Sequence, residues 1–422
     1  MKTAIVWLRD NLRLSDNHSL HHAISENDKI LPVFVIDRRW LEKDRWGNAR
    51  MGVFRADFLL ESLKALQKSV EDAGGGLWVE TGLPSEIILR LARDFGADCV
   101  YTSRAYTHFE KEDEQRVSEE IKLKLYDEST LIHPDNLPFS VREIPDIFTQ
   151  FRQKVEKYCQ VKPPISAPSR IDTPVFTPKI IPDLDLLGYK KIPKDNRAVM
   201  TFTGGEEAGK RRLTHYFYET RSLSHYKDTR NGLIGADYSS KFSPWLANGS
   251  LSPRYIYAEV KKYEEDIIKN ESTYWLVFEL LWRDFFKFMS MKYGARLFFA
   301  GGISGKNPNF GMNTKRYEQW KLGKTGQLFI DANMNELRNT GFMSNRGRQN
   351  VASYLVHNLG LDWRMGASWF ESMLIDYDPC SNYGNWQYVA GVGNDPRENR
   401  VFNPLSQSAR YDPEGEFQVL WK

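Results

Sequence analysis

The sequence has very few cysteines and no long apolar run. Its three cysteines, Cys99, Cys159 and Cys380, lie far apart, which fits neither a disulfide framework nor a cysteine-based metal site and is typical of a reducing compartment. No apolar stretch approaches the length of a membrane span. The short apolar run at the N-terminus is followed at once by Arg9 and Asp10, so it predicts a strand rather than a signal peptide. We therefore expect a cytoplasmic monomer with no bound metal and no membrane association.

The sequence also lacks a strong charge imbalance. The formal net charge is only +3, so no global basic signature indicates a nucleic-acid partner, and any such site has to be a local patch. Aromatic residues, by contrast, are abundant, with 12 Trp and 20 Tyr, and the Trp residues are concentrated from Trp245 onwards. Large aromatic side chains usually build a core, and a platform for flat ligands is the alternative.

The first 130 residues alternate short apolar runs with amphipathic stretches. The apolar runs predict buried strands at 4–8, 30–36, 77–80 and 99–101, with another at 122–126 or 130–132. Helical periodicity is found at 18–25, 52–73, 85–95 and 110–122. Strand–helix alternation of this kind predicts a doubly wound parallel sheet, Rossmann-like in class. The turn after the first strand lacks a GxGxxG motif, which excludes the ordinary dinucleotide fingerprint.

The remainder of the chain divides into a proline-rich stretch and a helical part. Residues 160–198 contain seven prolines, which predicts an extended connector lying against the surface. Helical patterns follow at 208–223, 253–270, 273–292, 325–339, 346–359 and 367–377. We therefore predict an α/β domain at 1–130, an inter-domain connector at 131–200 and an all-α domain at 201–422.

Two segments of the helical part combine polar and aromatic side chains. Glu279, Trp282, Arg283 and Phe286 share one face of a predicted helix, which is either a ligand-binding face or a Glu–Arg pair beside core aromatics. The segment Tyr238-Ser-Ser-Lys-Phe-Ser-Pro-Trp245 places hydroxyls and an ammonium before an apolar stretch. Such a loop-to-helix junction suits a phosphate, although serine-rich loops are usually only loops.

Two further segments lie close to the C-terminus. In Gly341-Phe-Met-Ser-Asn-Arg-Gly-Arg-Gln-Asn350, Ser344 is a good N-cap, and Asn345, Arg348 and Gln349 share a helix face while Arg346 points elsewhere. The segment Leu374-Ile-Asp-Tyr-Asp-Pro-Cys-Ser-Asn-Tyr-Gly-Asn-Trp-Gln-Tyr388 is predicted to be a loop broken by its proline and glycine. Its density of Asp, Asn and Trp suits a buried polar ligand.

These four segments, in their order along the chain, resemble the cryptochrome/photolyase family, and the resemblance covers the whole chain. The opening Trp7-Leu-Arg-Asp-Asn-Leu-Arg-Leu-Ser-Asp-Asn17 is similar to that family's first-strand signature. Within the family, three segments look like the DASH cryptochromes: Ser239-Ser-Lys-Phe-Ser-Pro-Trp-Leu-Ala247, Phe342-Met-Ser-Asn-Arg-Gly-Arg-Gln-Asn350 and Tyr377-Asp-Pro-Cys-Ser-Asn-Tyr-Gly-Asn-Trp386. The resemblance implies an N-terminal α/β domain and a helical domain that binds FAD. It also implies blue-light repair of cyclobutane pyrimidine dimers by electron transfer from excited reduced FAD, mainly in single-stranded DNA.

The resemblance also implies roles for individual residues at the flavin. An Arg348–Asp376 ion pair is expected over the flavin ring, with Asn382 opposite its redox-active nitrogen. The implied FAD contacts are Tyr226, Ser239, Ser240, Lys241, Phe242, Ser243, Glu279, Arg283, Asn345, Arg348, Asp376, Asp378 and Asn382. The implied participants in the reaction are Trp386, Trp363, Asn382 and Glu279, of which the two tryptophans carry electrons. The third tryptophan of the family's electron path falls on Phe310 in an alignment without gaps, which leaves either an alignment shift or a role for Tyr317 or Trp320.

Further implied residues concern the substrate and the antenna. The rings of Trp282 and Tyr388 would flank the dimer, and Gln349 and Tyr388 replace a Met and a Trp of other photolyases. The implied phosphate-binding rim consists of Lys241, Arg346, Arg397 and Arg400, each of which is otherwise a solvated surface charge. Glu110 matches the residue that meets a 5,10-methenyltetrahydrofolate antenna. A deazaflavin, an empty groove, or a purely solvated charged helix face at Glu110 are the alternatives.

Two other functions remain open from the sequence. The first is a blue-light receptor that signals through a partner without repair, and the second is a dark electron-transfer flavoprotein in which the tryptophans are only core. Signalling cryptochromes usually carry a long disordered tail, and this chain ends shortly after Phe402-Asn-Pro404. We therefore expect repair rather than signalling.

Overall fold

The structure is a computed structural model that describes residues 2–306, 308–395 and 401–422. Its N-terminal part is a parallel sheet of five strands in the order β3-β2-β1-β4-β5. The strands are β1 Thr3–Leu8, β2 Lys29–Asp37, β3 Trp78–Gly82, β4 Ala97–Ser103 and β5 Lys122–Tyr126. The predicted doubly wound class is therefore confirmed, and of the two candidates for the last strand the structure contains the one at 122–126.

Four helices cover the two faces of this sheet. They are α1 His18–Glu26, α2 Val53–Asp72, α3 Pro84–Asp94 and α4 His108–Glu120. Side chains alternate along β1, so that Val6 packs into the core on one face and Ile5 and Trp7 into the core on the other. The strand order reverses direction at β1, and the crevice outside the carboxyl ends of β1 and β4 is where doubly wound sheets bind ligands.

The C-terminal part is helical. Its helices, with one from the expected connector, are α5 Phe148–Tyr158, α6 Glu206–Thr214, α7 Tyr226–Thr229, α8 Ser243–Ala247, α9 Pro253–Asp266, α10 Glu271–Tyr293, α11 Thr314–Lys321, α12 Leu328–Thr340, α13 Asn345–Ser353, α14 Trp363–Met373, α15 Pro379–Val389, α16 Pro404–Tyr411 and α17 Glu416–Leu420. The helices predicted at 208–223 and 346–359 each end in a π-helical turn, at His215–Glu219 and Tyr354–Asn358. No helix among the described residues is long and apolar enough to cross a membrane.

The segment expected as connector differs in its two halves. Helix α5 buries Phe148, Phe151 and Val155 in the core of the helical part, so this half is not an extended linker. Beyond α5 the chain contains no regular element up to residue 199, as its prolines predict, and it lies against the α/β part. Ile171 donates its N–H to the Ala73 carbonyl at 2.9 Å and its side chain is buried there.

The two parts are joined by buried polar contacts. The Asp16 carboxylate of the α/β part accepts from Arg254 of α9 at 2.9 Å and from the Ser252 hydroxyl, and both charged side chains are almost fully buried. Arg13 donates to the Gly249 carbonyl at 2.7 Å. Gly249 has a φ of +72°, and a Cβ there would lie 1.7 Å from the Asp10 carbonyl oxygen, so only glycine permits this close approach.

Candidate functional site

The first feature of the site is an ion pair between Arg348, in the first turns of α13, and the buried carboxylate of Asp376. Ser344 caps the helix by accepting from the Gly347 N–H, as predicted, and the helix then presents Arg348. Arg348 Nη2 lies 2.8 Å from Asp376 Oδ2, so the expected pair is formed. The Asp376 side chain is 2% exposed, and its Oδ1 has no hydrogen-bond partner among the described residues. The pair thus keeps one buried carboxylate oxygen available to a ligand.

The segment that follows Asp376 is a helix, α15, and the prediction of a loop was wrong. Asp378 caps it by accepting from the Ser381 N–H at 2.7 Å. Pro379 occupies the first helical position, where its missing N–H costs nothing and its fixed φ suits the helix. Gly384 packs against α10, since a Cβ there would lie 2.2 Å from the Phe286 ring. The proline starts the helix and the glycine allows close packing, and neither breaks it.

Asp378 is held as a carboxylate by a buried lysine. Lys287 Nζ lies 3.2 Å from Asp378 and 3.8 Å from Asp10, and the Lys287 side chain is 4% exposed. Burial alone would raise the pKa of Asp378, but Lys287 and Arg283 outweigh it and lower that pKa to about 2. Asp378 therefore carries a fixed negative charge at the start of α15. Lys287 connects this charge to Asp10 at the end of β1.

Asn382 lies one turn into α15. Its side-chain amide donates to the Ala367 carbonyl at 3.0 Å, which fixes the direction of the side chain. The residue is 8% exposed, like Asp378. An amide held in this way presents its oxygen as an acceptor, and a hydrogen bond to Ala367 uses one of its two N–H donors.

The polar face of α10 forms, but its charged residues do not pair with each other. The Glu279 carboxylate accepts from Arg230 at 2.6 Å, and burial raises the pKa of Glu279 while Arg230 opposes that rise. Arg283 instead donates to the backbone carbonyls of Leu246 and Ser129. The alternative of a simple Glu–Arg pair along one helix is therefore not what the structure contains.

Trp282, also on α10, is surrounded by other aromatic rings. It stacks on Phe148 with centroids 3.7 Å apart and planes 13° from parallel. Phe285 and Phe286 of the same helix lie at 5.7 and 5.6 Å, and Tyr388 of α15 lies at 6.1 Å and a right angle. The indole is half-buried, so its position is defined before any ligand arrives.

The serine-rich segment before α8 is organised by an arginine that the sequence did not indicate. Arg212 donates to the carbonyls of Ser239 and Ser240 at 3.1 and 3.0 Å and forms an ion pair with Asp237 at 2.7 Å. Tyr226, Ser240 and Phe242 are buried nearby, Ser239 is half-buried and Ser243 is exposed as the first residue of α8. The sequence of α6 does not reveal this function of Arg212, because a charged residue on an amphipathic helix is usually expected to face solvent.

Lys241 is buried, which corrects its expected place on an exposed phosphate-binding rim. Its side chain donates to the Ala236 carbonyl at 2.7 Å and lies 3.3 Å from the centre of the Tyr238 ring, and the residue is 4% exposed. Its φ is +54°, a conformation uncommon for a non-glycine residue. Burial, with some repulsion from Arg212, lowers the pKa of Lys241 to about 6. Its location suits an internal ligand only.

Glu336 of α12 was missed by sequence reasoning. It has no solvent exposure, and neither carboxylate oxygen has a hydrogen-bond partner among the described residues. Burial raises its pKa to about 8, although Lys241 and Arg348 oppose this. The only signal was its spacing, since Glu336 shares a helix face with Ala332, Asn333 and Leu337, all of which are buried.

Some of the buried polar atoms without partners are ones that a large polar ligand would satisfy. Asp376 Oδ1, the Tyr238 hydroxyl and the Glu336 carboxyl are buried and unpaired among the described residues, whereas buried polar atoms are nearly always hydrogen-bonded. The N–H groups of an isoalloxazine ring and the hydroxyls of a ribityl chain supply such partners. The residues present therefore fit FAD.

The tryptophans predicted for electron transfer are both buried. Trp386 is 2% and Trp363 is 0% exposed. They belong to packed helices, since Gly366, one turn after Trp363, would place a Cβ 2.1 Å from the Trp386 ring. Phe310 precedes Gly311, which pairs with Leu361, and the Phe310 side chain packs against the cluster that contains Trp363.

Residues predicted to contact DNA have mixed positions. Arg346 donates to Gln349 and to Asn231, both at 2.9 Å, and lies over the Tyr411 ring. Asn345, expected at the flavin, is exposed at the first turn of α13. The two remaining expected rim residues, Arg397 and Arg400, lie outside the described residues.

Among the residues that are described, no group of His, Cys, Asp or Glu is arranged to hold a metal ion.

Glu110 lies in the first turn of α4, after the carboxyl end of β4. It accepts from the Thr107 hydroxyl, it is half-buried, and burial raises its pKa. The charged run that it opens is not simply solvated, since Glu114 accepts from Arg9 at 2.6 Å and Asp113 from Arg39. These contacts build a charged, ordered wall at the crevice between β1 and β4.

Comparison with known proteins adds independent information. A family model described as "FAD binding domain of DNA photolyase" matches residues 275–421, and one described as "DNA photolyase" matches residues 4–169. The chain is 47% identical to a cryptochrome DASH of Synechocystis over 99% of this chain and 87% of that protein. It is 46% identical to a chloroplastic/mitochondrial cryptochrome DASH of Arabidopsis thaliana over 99% and 75%.

Solved structures agree with these matches. A crystal structure of Synechocystis cryptochrome has a TM-score of 0.97 at 47% identity and covers 100% of this chain and 88% of its own. A class III photolyase from Agrobacterium tumefaciens has a TM-score of 0.85 at 28% identity, with coverage of 100% and 86%. An archaeal photolyase from Sulfolobus tokodaii, described with two FAD molecules, has a TM-score of 0.81 at 31% identity, with coverage of 99% and 90%.

Proposed function

The chain belongs to the cryptochrome/photolyase family, in its cryptochrome DASH group, and we propose that it repairs cyclobutane pyrimidine dimers in blue light, preferentially in single-stranded DNA. The observations that carry the proposal are the Arg348–Asp376 pair, whose buried carboxylate keeps one oxygen available, and the buried Asn382 amide of α15. We propose that the protein binds FAD there and acts on DNA as a monomer.

The side chains around the flavin would bind and orient it. Arg348 holds Asp376 in place, so that Asp376 Oδ1 can accept from a ring N–H. Asn382 can donate to or accept from a ring nitrogen as the protonation of that nitrogen changes. The Ser239–Ser243 segment, clamped by Arg212, offers hydroxyls and N–H groups to phosphates. When bound, the flavin supplies the electron that splits the dimer.

The substrate end of the site would use aromatic faces. Phe148 covers one face of Trp282 and holds the indole in place, so a flipped base can contact only the part of the indole that Phe148 leaves uncovered. Tyr388 stands at a right angle to it, which suits a wedge-shaped dimer. Glu279, one turn before Trp282 and held by Arg230, would hydrogen-bond to the lesion or the nearby adenine.

The preference for single strands follows from packing energy. Gln349 and Tyr388 stand where other photolyases carry a Met and a second Trp, so less apolar surface packs against a flipped dimer. Extruding a base from a duplex costs a few kcal/mol, and a single strand does not incur that cost. A pocket with weaker packing is therefore sufficient for single-stranded substrates.

A matched substrate pair tests the function. The protein, reduced chemically, is illuminated with blue light in the presence of thymine-dimer oligonucleotides of identical sequence, single- and double-stranded. We expect repair in both with a clear excess for the single strand. Trp282→Ala should abolish repair, while Trp78→Phe, on the edge of the α/β sheet, should not. No repair of either substrate would favour a light receptor, and equal repair would remove the strand preference.

We also propose that 5,10-methenyltetrahydrofolate occupies the crevice beside Glu110. The support is the position of Glu110 at the switch point of the sheet, where its half-buried carboxyl group can hydrogen-bond to a pterin. Mass spectrometry of the released chromophores distinguishes folate from a deazaflavin, a second flavin or none. Glu110→Ala should lower the folate content and leave the FAD content unchanged.

A further inference from the structure

In an alignment without gaps, the outer end of the electron path lacks its tryptophan. A hole that leaves the flavin through Trp386 and reaches Trp363 needs a further donor, or the charges recombine. Phe310 occupies the expected position, and a phenyl ring is much harder to oxidise than an indole or a phenol. The further donor therefore has to be another oxidisable ring that lies beside Trp363.

Tyr383 lies there. Its ring centre is 5.9 Å from that of Trp363 in an edge-on arrangement, and 4.7 Å from that of Phe298. Tyr383 is on α15, one turn before Trp386, so the same helix carries the first donor and this ring. Trp363 is fully buried whereas Tyr383 is half-buried, so Tyr383 extends the path outward.

Tyr383 also has a proton acceptor. A phenol is a good electron donor only if its proton leaves with the electron, because an oxidised phenol is a strong acid. The Tyr383 hydroxyl donates to Glu371 Oε2 at 3.4 Å. Burial raises the pKa of Glu371 even though Arg55 and Arg50 oppose it, so this carboxylate is a stronger base than an exposed one.

A second ring pair competes with this path. Trp320 lies 6.3 Å from Trp386, and Tyr317 is stacked on Trp320 at 6.2 Å. The Tyr317 hydroxyl, however, donates to the Met365 carbonyl at 2.9 Å, and an amide oxygen does not take up a proton at neutral pH. Lys321 lies 5.0 Å from the centre of the Tyr317 ring, where its charge, although shared with Glu318, disfavours a hole.

We propose that Tyr383 is the terminal electron donor, in place of the missing third tryptophan; this rests on the proposed flavin function. One electron passes from Trp386 to the photo-excited oxidised flavin, one from Trp363 to oxidised Trp386, and one from Tyr383 to oxidised Trp363. The Tyr383 proton goes to Glu371. The net change is one electron gained by the flavin, with Tyr383 left as a neutral radical and Glu371 protonated.

Transient absorption on the FAD-loaded, oxidised protein tests this through the protein's own radicals. We expect an early tryptophanyl band that decays as a tyrosyl band rises, with a slower rise in D₂O because a proton moves. Tyr383→Phe should abolish the tyrosyl band and leave a tryptophanyl radical that recombines. Tyr317→Phe, the matched control, should leave the tyrosyl band unchanged.

Glu371→Gln is a second variant that removes only the proton acceptor, and it should trap the hole on tryptophan. A tyrosyl band that survives Tyr383→Phe, or disappears in Tyr317→Phe, overturns the proposal, as does a parent protein that forms only tryptophanyl radicals. Dimer repair by the chemically reduced parent is measured separately. Absent repair with an intact tyrosyl signal would refute the repair function alone, and the reverse result would refute the electron path alone.

Discussion

Glu336→Gln should make the protein more stable, although it removes a charge-capable side chain from the proposed flavin site. Glu336 is fully buried, its carboxylate oxygens have no partners among the described residues, and burial raises its pKa from 4.5 to about 8. In the unfolded chain the carboxyl ionises freely at neutral pH, whereas in the folded chain it must keep its proton. The folded state therefore binds more protons, and stability falls as the pH rises from about 4.5 to about 8.

The size of the effect follows from the shift in pKa. At about 1.4 kcal/mol per pH unit, the parent loses about 3 kcal/mol of unfolding free energy at pH 7 and less than about 1 kcal/mol at pH 5. Glutamine has nearly the same shape and stays neutral, so the variant avoids this loss. With an unfolding entropy of about 2.1 cal/mol/K per residue, about 3 kcal/mol raises the Tm of a chain of this length by about 3 to 4 °C.

Thermal unfolding of the FAD-free protein at pH 5 and pH 7 measures the effect, because FAD would itself offer partners to the Glu336 carboxyl. Glu265→Gln, an exposed position on α9, is the matched control and should change stability by no more than about 0.5 kcal/mol at either pH. A variant no more stable than the parent at pH 7 would refute the reasoning. An equal gain at both pH values would show that the gain does not come from ionisation. Lys241, whose pKa is lowered to about 6, titrates nearby, so Lys241→Met in both backgrounds separates its contribution.

Three other changes have expected outcomes. Asp378→Asn keeps an N-cap but loses the charge opposite Lys287, so it should cost about 2 kcal/mol at pH 7, a difference that disappears as the pH falls from about 4 to about 2 and that urea unfolding measures. Arg346→Ala should reduce the slope of log affinity against log salt for single-stranded DNA by about 0.7, and an unchanged slope in fluorescence titrations would remove Arg346 from the phosphate contacts. Trp386→Phe should severely slow flavin photoreduction under blue light, and an unchanged rate would exclude this residue from the electron path.

The sequence predicts the α/β part well because its signals are local. Alternating apolar runs and amphipathic stretches define the strands and helices, and the sheet order follows the doubly wound rule. It predicts α15 badly because Pro379 and Gly384 are read as breakers, whereas a proline at the first position and a glycine packed on Phe286 both suit a helix. Helix α5 is missed because the prolines that follow it dominate the pattern of the segment.

The site shows a similar division. The Arg348–Asp376 pair was predicted because both residues stand in motifs with a known geometry, and the structure contains it at 2.8 Å. Lys241 and Glu336 depend on tertiary burial, which no local pattern reveals, since lysine and glutamate are nearly always exposed. Ring neighbours such as Tyr383 and Trp363 come from different helices, and only the packing of α14 on α15 brings them together.

The buried contact between Asp16 and Arg254 has a consequence for how such chains can be recombined. Each side chain is almost completely withdrawn from water, and although Asp16 also has His18 of its own part at 3.6 Å, the ion pair with Arg254 crosses between the two parts of the molecule. Removing one partner of a buried pair costs about 3–5 kcal/mol. A chimera that exchanges the α/β part of this chain with that of a relative should fold only if the aspartate and the arginine are both present. The two parts can therefore be exchanged only between chains that carry both residues of the pair.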